Sequence, residues 1–306
     1  MAGSLAYFLP AAKLAWDATG QVVTIASPTP SPSLETNASP LPSAAARTPG
    51  AFTVLLLGSD DDSKFSADHV LTQSMILVRV IPSTKQVVML SIPRDLYVPF
   101  WRGGSGKIDG AYSYGQAGGA IATVQQDFGV HIDEYIWIGL LGLIKLIDAI
   151  GGIDVVTSSP VIDDLYPADV FSSDPYGYER VAVLAGPQHM TGISAMQYVR
   201  SRHNDLQSDI GRSKRQQQVL LAIRKKAKQV STSDVPAIAS ALGGEIKTSI
   251  GLDRVAELIP LAATFDNPDN INTLVMEPPM FHGGGPGGSL TPNWSAILYL
   301  VRQYFP

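Results

Sequence analysis

The sequence predicts an α/β fold: a three-layer α-β-α arrangement with a central mixed sheet, in a single domain. Three strand-like runs come first, at 52–57, 75–80 and 86–91, and helical and strand-like segments then alternate as far as residue 156. Alternating strands and helices are typical of a sheet covered by helices on both faces. The short gap between the second and third runs predicts a hairpin, and this hairpin makes the sheet mixed.

Each predicted element has its own signature in the sequence. The run 52–57 is rich in aliphatic and β-branched residues and ends at Gly58, which is typical of a strand buried on both faces. Apolar residues at helical spacing predict a helix at 118–128. The other predicted helices are 140–150, 194–199, 212–230, 235–242, 252–263 and 293–304, and the other predicted strands are 135–138, 153–156 and 271–276.

Composition excludes several classes of function. The 306 residues include no cysteine, which rules out disulfides, thiolate catalysis and cysteine-based zinc sites. The formal net charge is -5, and the basic residues do not form a run long enough to follow a phosphate backbone. The sequence therefore predicts no nucleic-acid partner.

Three segments are predicted along the chain: an apolar N-terminal segment at 1–26, a linker rich in Pro, Ser and Ala at 27–50, and a folded domain at 51–306. The apolar stretch 5–16 is interrupted by Pro10 and Lys13 and is shorter than the ~20 residues that cross a bilayer core. Two interpretations are open: an amphipathic piece that lies on a surface, or the outer end of a membrane helix whose beginning is missing.

The segment 198–218 carries the most chemistry. Arg200 and Arg202 point to one side if the chain is extended there, while Arg212 and Gln216 share one face of a predicted helix. Guanidinium groups suit phosphate oxygens because they offer paired donors in one plane. Asp209 falls among these arginines, whose positive charge favours the ionised carboxylate. The alternative is that Asp209 only caps the helix and the arginines form a solvated basic face.

Five motifs occur in an order that resembles the LytR-CpsA-Psr family over roughly residues 52–230. They are Leu55-Leu-Leu-Gly-Ser-Asp60, Ser91-Ile-Pro-Arg-Asp95, Lys107-Ile-Asp-Gly-Ala-Tyr-Ser-Tyr-Gly115, Leu146-Ile-Asp-Ala-Ile-Gly-Gly-Ile-Asp-Val155, and Tyr198-Val-Arg-Ser-Arg-His203 followed by Asp209, Arg212 and Gln216. Members of this family are extracytoplasmic phosphotransferases of the bacterial cell wall. The resemblance implies that activity for this chain.

The resemblance also implies roles for individual residues. Pyrophosphate of the polyprenyl donor would be bound by Arg94, Arg200, Arg202 and Gln216. The implied catalytic residues are Asp209, Arg212 and Asp60, and Asp60 and Asp209 would hold Mg²⁺. Two alternatives remain: Arg94 and Asp95 form a structural ion pair, and Asp60 is a simple turn acid.

One departure from the family pattern falls just before the second strand. The family usually has Arg, a small hydroxyl residue and Asp there, and this chain has Leu71-Thr-Gln73. Leu71 cannot bind phosphate, and Gln73 offers a neutral carbonyl oxygen where Mg²⁺ prefers a carboxylate. The acids Asp61, Asp62 and Asp68 in the preceding loop are candidate substitutes.

The resemblance implies transfer of a teichoic acid-like glycopolymer from a polyprenyl-pyrophosphate carrier to a peptidoglycan hydroxyl. The polyprenyl chain would occupy an apolar cavity lined from 119–128 and 135–150. The departure at Leu71 and Gln73 favours an alternative function, a non-catalytic polyprenyl-phosphate binding protein. A third hypothesis is a hydrolase that releases the pyrophosphate group to water.

The implied location is extracytoplasmic, either anchored to the cell membrane or facing the cell wall. Family members are typically tethered by one membrane helix, and the linker 27–50 fits the stalk of such a tether. The segment 5–16 would then be the outer end of the anchor, and the protein would be membrane-associated through its N-terminus.

Overall fold

The computed structural model describes residues 49–59, 70–168, 174, 177–202, 208–227, 229, 234–251, 254, 257–258 and 267–306. These residues fall into two compact units. The sheet unit comprises the described residues of 49–58, 70–136 and 267–306, and the helix unit comprises Ser59 and the described residues of 137–258. The two units are described separately below.

The sheet unit is built on five strands: β1 (Phe52–Ser59), β2 (Thr72–Ile81), β3 (Gln86–Ile92), β6 (Glu134–Ile138) and β12 (Ile271–Val275). They lie side by side in the order β6-β1-β2-β3-β12. Strands β2 and β3 form the predicted antiparallel hairpin, with Leu77 opposite Leu90, and β12 pairs with β3 in parallel. The sheet is therefore mixed, as the sequence predicts.

Smaller elements complete the sheet unit. Strands β4 (Tyr97–Pro99) and β5 (Ser105–Lys107) pair with each other, as do β13 (Phe281–His282) and β14 (Thr291–Pro292). Helix α1 spans Gly110–Phe128, and the last helix of the chain, α6, spans Trp294–Tyr304. Short 3₁₀ turns lie at Pro268–Asn270 and Pro286–Gly288.

The core of the sheet unit comes from the central strands and α1. Leu55, Leu77 and Leu90 are fully buried on three adjacent strands, and Tyr112 of α1 is also buried. Full burial of a side chain of this size contributes about 1.5–3 kcal/mol. Hydrophobic burial on the strands thus accounts for the continuous apolar runs of the sequence.

Helix α1 is broken at Gly115 and Gln116, where Gln116 has a φ of 51°. The ring of Trp101 lies against this break, so a Cβ added at Gly115 would come within 2.5 Å of it. Glycine is therefore required at this position for Trp101 to pack on the helix.

The helix unit contains four helices and five strands among its described residues. Its helices are α2 (Leu140–Ala149), α3 (Gly192–Arg200), α4 (Ser208–Ala227) and α5 (Val235–Ala241). Strand β7 (Ile153–Thr157) pairs with β10 (Gly186–Met190), and β8 (Val161–Pro167) pairs with β9 (Tyr178–Val183). Strand β11 spans Ile246–Thr248.

Two apolar clusters hold the helix unit together. One joins Ile147 of α2, Tyr198 of α3 and Val219 of α4, and the other joins Tyr166 of β8 to Met196 of α3. The start of α3 packs closely on α2, since a Cβ at Gly192 would lie 2.2 Å from the Ile144 carbonyl oxygen. These contacts fix the position of α3, whose end carries Arg200.

Several predicted elements differ from the structure at their ends. Helix α1 begins eight residues before the predicted start at 118, because its first turns precede the break at Gly115. Most of the predicted helix 252–263 and most of the predicted segments 1–26 and 27–50 lie outside the described residues, so they stay predictions. In the part of the chain that is described, no helix combines the length and the hydropathy needed to cross a membrane.

Candidate functional site

The end of helix α3 is held in place by a buried arginine from α4. The Arg215 guanidinium donates to the carbonyl oxygens of Tyr198 at 2.8 Å and Ser201 at 2.5 Å, and it lies over the Tyr198 ring at 5.6 Å. The last carbonyls of a helix have no partners within the helix. Arg215 supplies these partners, and its positive charge is favourable at a helix C-terminus.

The residues after α3 are also fixed by strand β8. The buried Asp163 carboxylate accepts the backbone N–H of Arg202 at 2.9 Å. The Arg200 guanidinium lies over the ring of buried Tyr166, 5.7 Å from its centroid. Because α3, α4 and β8 all contact this turn, the backbone that presents the two arginines is preorganised.

Three of the predicted site residues meet at the start of α4. The Asp209 carboxylate lies 3.0 Å from Arg212 Nη2 and 3.5 Å from Arg202 Nε. Arg212 is buried, whereas Arg202 is exposed. Gln216 follows Arg212 by one turn of α4, as its spacing predicts. The helix unit therefore contains an arginine cluster, defined here as Arg202, Asp209 and Arg212.

Arg200 and Arg202 do not lie together in an extended segment. The prediction that their side chains point to one side applied to an extended chain, and Arg200 is instead the last residue of α3. The alternative role of Asp209 as a helix cap is consistent with its position in the first turn of α4. Its ion pairs with Arg202 and Arg212 add a contact that a simple cap does not need.

The sheet unit carries a second charged group, at the end of β3. Asp95 Oδ2 lies 3.3 Å from Arg94 Nε, and its Oδ1 accepts from Lys107 Nζ at 2.7 Å. The ion pair that the sequence left open for Arg94 and Asp95 is thus present. Lys107 also pairs with Asp95, so three charged side chains are grouped at the end of β3.

Gln73 has a definite partner in the sheet unit: its side-chain oxygen accepts a hydrogen bond from Arg94 Nη1. In the usual family pattern this position is an aspartate. The neutral amide therefore orients Arg94 through a hydrogen bond. It cannot offer Arg94 or a cation the charge of a carboxylate.

Asp109 is a buried acid beside the same group. Its backbone N–H donates to the Arg94 carbonyl at 3.2 Å, and its own carbonyl accepts from the Thr72 N–H at 3.4 Å. Burial raises the pKa of the Asp109 carboxyl to about 6, against the lowering effect of the Arg94 guanidinium. The backbone of Asp109 therefore links β2 and the end of β3 at the start of α1. Burial at this position destabilises the ionised form of its carboxyl group.

We expect Asp109→Asn to stabilise the protein at neutral pH. An acid whose folded pKa lies above its unfolded value takes up a proton on folding, so its cost appears as pH rises from about 4 to about 6 and persists above. The amide removes a cost of at most about 3 kcal/mol at pH 7. Urea unfolding across this pH range measures the difference. Parallel stability curves for the two proteins would contradict the prediction.

The predicted Mg²⁺ ligands do not form a cation site among the described residues. Within that part of the chain, no three His, Cys, Asp or Glu side chains are grouped so that they could hold a metal. The Asp209 carboxylate is paired with arginines, and the Gln73 oxygen accepts from Arg94. Asp60 lies outside the described residues, as do the candidate substitutes Asp61, Asp62 and Asp68. The magnesium prediction, which rests on Asp60 and Asp209, is therefore still a prediction.

Comparison with known protein families identifies the family of this chain. The LytR_cpsA_psr family model matches residues 18–283, which is most of the chain. The chain belongs to the LytR-CpsA-Psr family. The resemblance that the order of the motifs indicated is therefore confirmed.

Individual LytR-CpsA-Psr proteins agree with this assignment. The Oceanobacillus iheyensis protein named polyisoprenyl-teichoic acid--peptidoglycan teichoic acid transferase TagU is 31% identical over 255 residues, which cover 81% of this chain and 71% of the relative. The crystal structure of B. subtilis TagV superposes with a TM-score of 0.67 at 26% identity, covering 83% of this chain and 95% of that one. A structure of TagT bound to LIIa-WTA gives a TM-score of 0.65 at 25% identity, covering 83% and 89%.

Several residues that contact the predicted site residues of each unit could not be assigned from the sequence. Lys107 and Asp109 lie in one of the motifs that carry the family resemblance. The residues around them in the sequence do not indicate their contacts with Asp95 and Arg94. Asp163 and Tyr166 contact residues more than thirty positions away. Arg212 and Arg215 are buried and Lys214 between them is exposed, and nothing in the spacing shows that Arg215 rather than its neighbours binds the end of α3.

Proposed function

We propose that this chain is a phosphotransferase that moves a teichoic acid-like glycopolymer from a polyprenyl-pyrophosphate carrier to a peptidoglycan hydroxyl. The observation that carries the proposal is the arginine cluster, in which a carboxylate lies between two guanidinium groups in a member of this family. Relatives bearing the name of a teichoic acid transferase support it.

The proposed reaction is a displacement at phosphorus. The peptidoglycan hydroxyl oxygen attacks the phosphorus that carries the glycan, and a new P–O bond forms. The P–O bond to the carrier breaks, and polyprenyl phosphate leaves with the bonding electron pair. The attacking hydroxyl gives its proton to a carboxylate, for which Asp209 is the first choice and Asp60 the second. Positioning and charge neutralisation by the protein stabilise the transition state.

The arginine cluster has a division of roles that fits this reaction. Arg212 is buried beside Asp209, so it is suited to holding the carboxylate in place. Arg202 is exposed and has its backbone fixed by Asp163, so its guanidinium can turn to phosphate oxygens. In this proposal Arg202, Arg200, Arg94 and Gln216 bind the donor pyrophosphate.

The remaining family properties are also proposals for this chain. Its partners would be a polyprenyl pyrophosphate lipid carrying the glycan and peptidoglycan as the acceptor. Its location would be extracytoplasmic, with attachment to the membrane through the N-terminus. Mg²⁺ bound at Asp60 and Asp209 would supply additional charge neutralisation, and none of the steps above depends on it.

A second candidate function is supported by one observation, the hydrogen bond between Gln73 and Arg94. A site that lacks the usual aspartate keeps its phosphate-binding arginines and loses a hard anionic ligand. This is the composition expected of a protein that binds polyprenyl phosphate and does not transfer it. Donor binding is common to both functions, so turnover distinguishes them.

We expect Arg202→Ala to weaken binding of a polyprenyl pyrophosphate by roughly 1.5–3 kcal/mol, because a hydrogen bond between charged groups is lost. Isothermal titration with a short-chain donor measures the affinity. The matched control is Arg254→Ala, which removes a partly exposed arginine of the same unit that is paired with Glu257. Equal affinities for the two variants would remove Arg202 from the binding site.

A further inference from the structure

The guanidinium of Arg94 is held from two sides in the sheet unit. Its Nη1 donates to the side-chain oxygen of Gln73, and its Nε lies 3.3 Å from Asp95 Oδ2. The side chains of Arg94 and Asp95 are only 13% and 14% exposed, so their ion pair is largely shielded from water. Of these two partners, only Asp95 carries a charge. Its carboxylate therefore exerts the stronger attraction on the planar guanidinium.

Asp95 is in turn fixed by Lys107 and by the surrounding backbone. Its other carboxylate oxygen, Oδ1, accepts from Lys107 Nζ at 2.7 Å, which is typical of a charge-assisted hydrogen bond. The Asp95 carbonyl accepts the N–H of Leu290 at 2.8 Å, and the Arg94 carbonyl accepts the N–H of Asp109 at 3.2 Å. These contacts restrict rotation of the Asp95 carboxylate away from Arg94. Lys107 can thus act on Arg94 through Asp95.

An acid beside a phosphate-binding arginine can affect the ligand in two opposite ways. Its negative charge repels an anion, so by Coulomb's law alone its removal should tighten phosphate binding. If the acid instead fixes the guanidinium in the geometry that binds phosphate, its removal should weaken binding, because the side chain must then be ordered when the ligand arrives. The hydrogen bond from Lys107 offsets part of the Asp95 charge. The second effect should therefore prevail here.

We propose that Asp95 is a positioning residue for Arg94, and that Lys107 holds Asp95 in the orientation that this requires. The inference rests on the proposed function, in which Arg94 binds the donor pyrophosphate. Asp95 and Lys107 act on the donor through the Arg94 guanidinium, as supporting residues that keep a binding group in its productive geometry. Gln73 is neutral where the family usually has an aspartate, so Arg94 depends more on Asp95 in this chain.

The substitution Asp95→Asn tests the proposal in two backgrounds. Affinity of the full chain for farnesyl pyrophosphate, a short polyprenyl pyrophosphate, is measured by isothermal titration calorimetry. Asp95→Asn should weaken binding by roughly tenfold although it removes a negative charge, which lies within the range of couplings between contacting residues. In the Arg94→Ala background the same substitution should cause no further loss, because its effect passes through Arg94. The matched control is Asp269→Asn, which removes the same charge from an exposed position of the sheet unit and should leave the affinity unchanged.

A second variant, Lys107→Met, keeps the test decisive if Asp95→Asn does not fold. The Lys107 side chain is 37% exposed, so its replacement should be tolerated by the fold. Lys107→Met should weaken binding severalfold in the otherwise unchanged chain and less in the Arg94→Ala background. The remaining loss in that background measures the direct effect of its charge on the anion.

Three results would overturn the proposal. The first is binding by Asp95→Asn that is as tight as in the unchanged chain or tighter, which would make Asp95 a charge partner only. The second is an equal loss of affinity with and without Arg94, for either variant. The third is an Arg94→Ala variant with unchanged affinity, which would also contradict the donor-binding role of Arg94 in the proposed function. Absence of glycan transfer with these couplings intact would count against the proposed function alone.

Discussion

Replacing Asp209 with Asn is expected to lower glycan transfer by about 10²–10⁴-fold, the range for loss of a general acid or base. Donor binding should remain largely intact, because the arginines bind the ligand and the carboxylate serves the chemistry. The amide keeps an oxygen that can accept from Arg212, so the start of α4 should retain its structure. Transfer and donor affinity are measured on the same preparation.

The matched control for this variant is Asp154→Asn. Asp154 is an exposed acid of the same unit, 2.8 Å from His189, and it has no contact with the arginine cluster among those described. Its transfer rate should equal that of the unchanged chain. Full transfer by Asp209→Asn would show that Asp209 is a structural partner of Arg212, and Asp60 would become the first candidate for the proton acceptor.

The combined change Leu71→Arg and Gln73→Asp is expected to raise Mg²⁺-dependent transfer by about tenfold, equivalent to ~1.4 kcal/mol of barrier. The first substitution adds a phosphate-binding fork, and the second places a hard anionic ligand where an amide now accepts from Arg94. Transfer with and without Mg²⁺ measures the effect. Binding of Mn²⁺ followed by electron paramagnetic resonance reports the metal site without turnover.

The control for the double variant is Leu71→Gln with Gln73→Asn, which changes size and polarity but adds no charge. If Leu71→Arg with Gln73→Asp shows transfer and the unchanged chain shows none, the natural protein is a donor-binding protein. Transfer by the unchanged chain that is equal with and without Mg²⁺ would refute the magnesium prediction and leave the phosphotransferase function standing. A double variant that neither binds Mn²⁺ nor gains transfer would contradict the role given to these positions.

Sequence patterns correctly predicted the strands and the hairpin whose formation depends mainly on neighbouring residues. The run 52–57 is a strand because continuous aliphatic side chains are buried on both faces, and the hairpin follows from two such runs around Pro82. Helix α1 was predicted only from residue 118, since the glycines that accommodate Trp101 interrupt its apolar periodicity. Strands β8 and β9 were missed because their outer faces carry apolar residues, which obscures the alternation.

In the candidate site, too, only contacts between residues close in the sequence could be predicted. Arg202, Asp209 and Arg212 could be grouped because they stand close together in the sequence, and Asp209 and Arg212 are three residues apart on one helix. The support of Arg202 by Asp163 depends on a contact 39 positions apart, and that of Arg94 by Gln73 depends on one 21 positions apart. Contacts of this kind arise from packing, so one sequence without its fold does not show them.

The most direct measurement is release of polyprenyl phosphate by the unchanged chain from a lipid-linked glycan donor, with and without a peptidoglycan acceptor. A phosphotransferase should release polyprenyl phosphate only when the acceptor is present, and an equal amount of glycan should become attached to peptidoglycan. Donor binding without release would contradict the proposed function and identify a lipid-binding protein. Release in the absence of acceptor would also contradict it, because water would then be the acceptor and the chain would be a hydrolase.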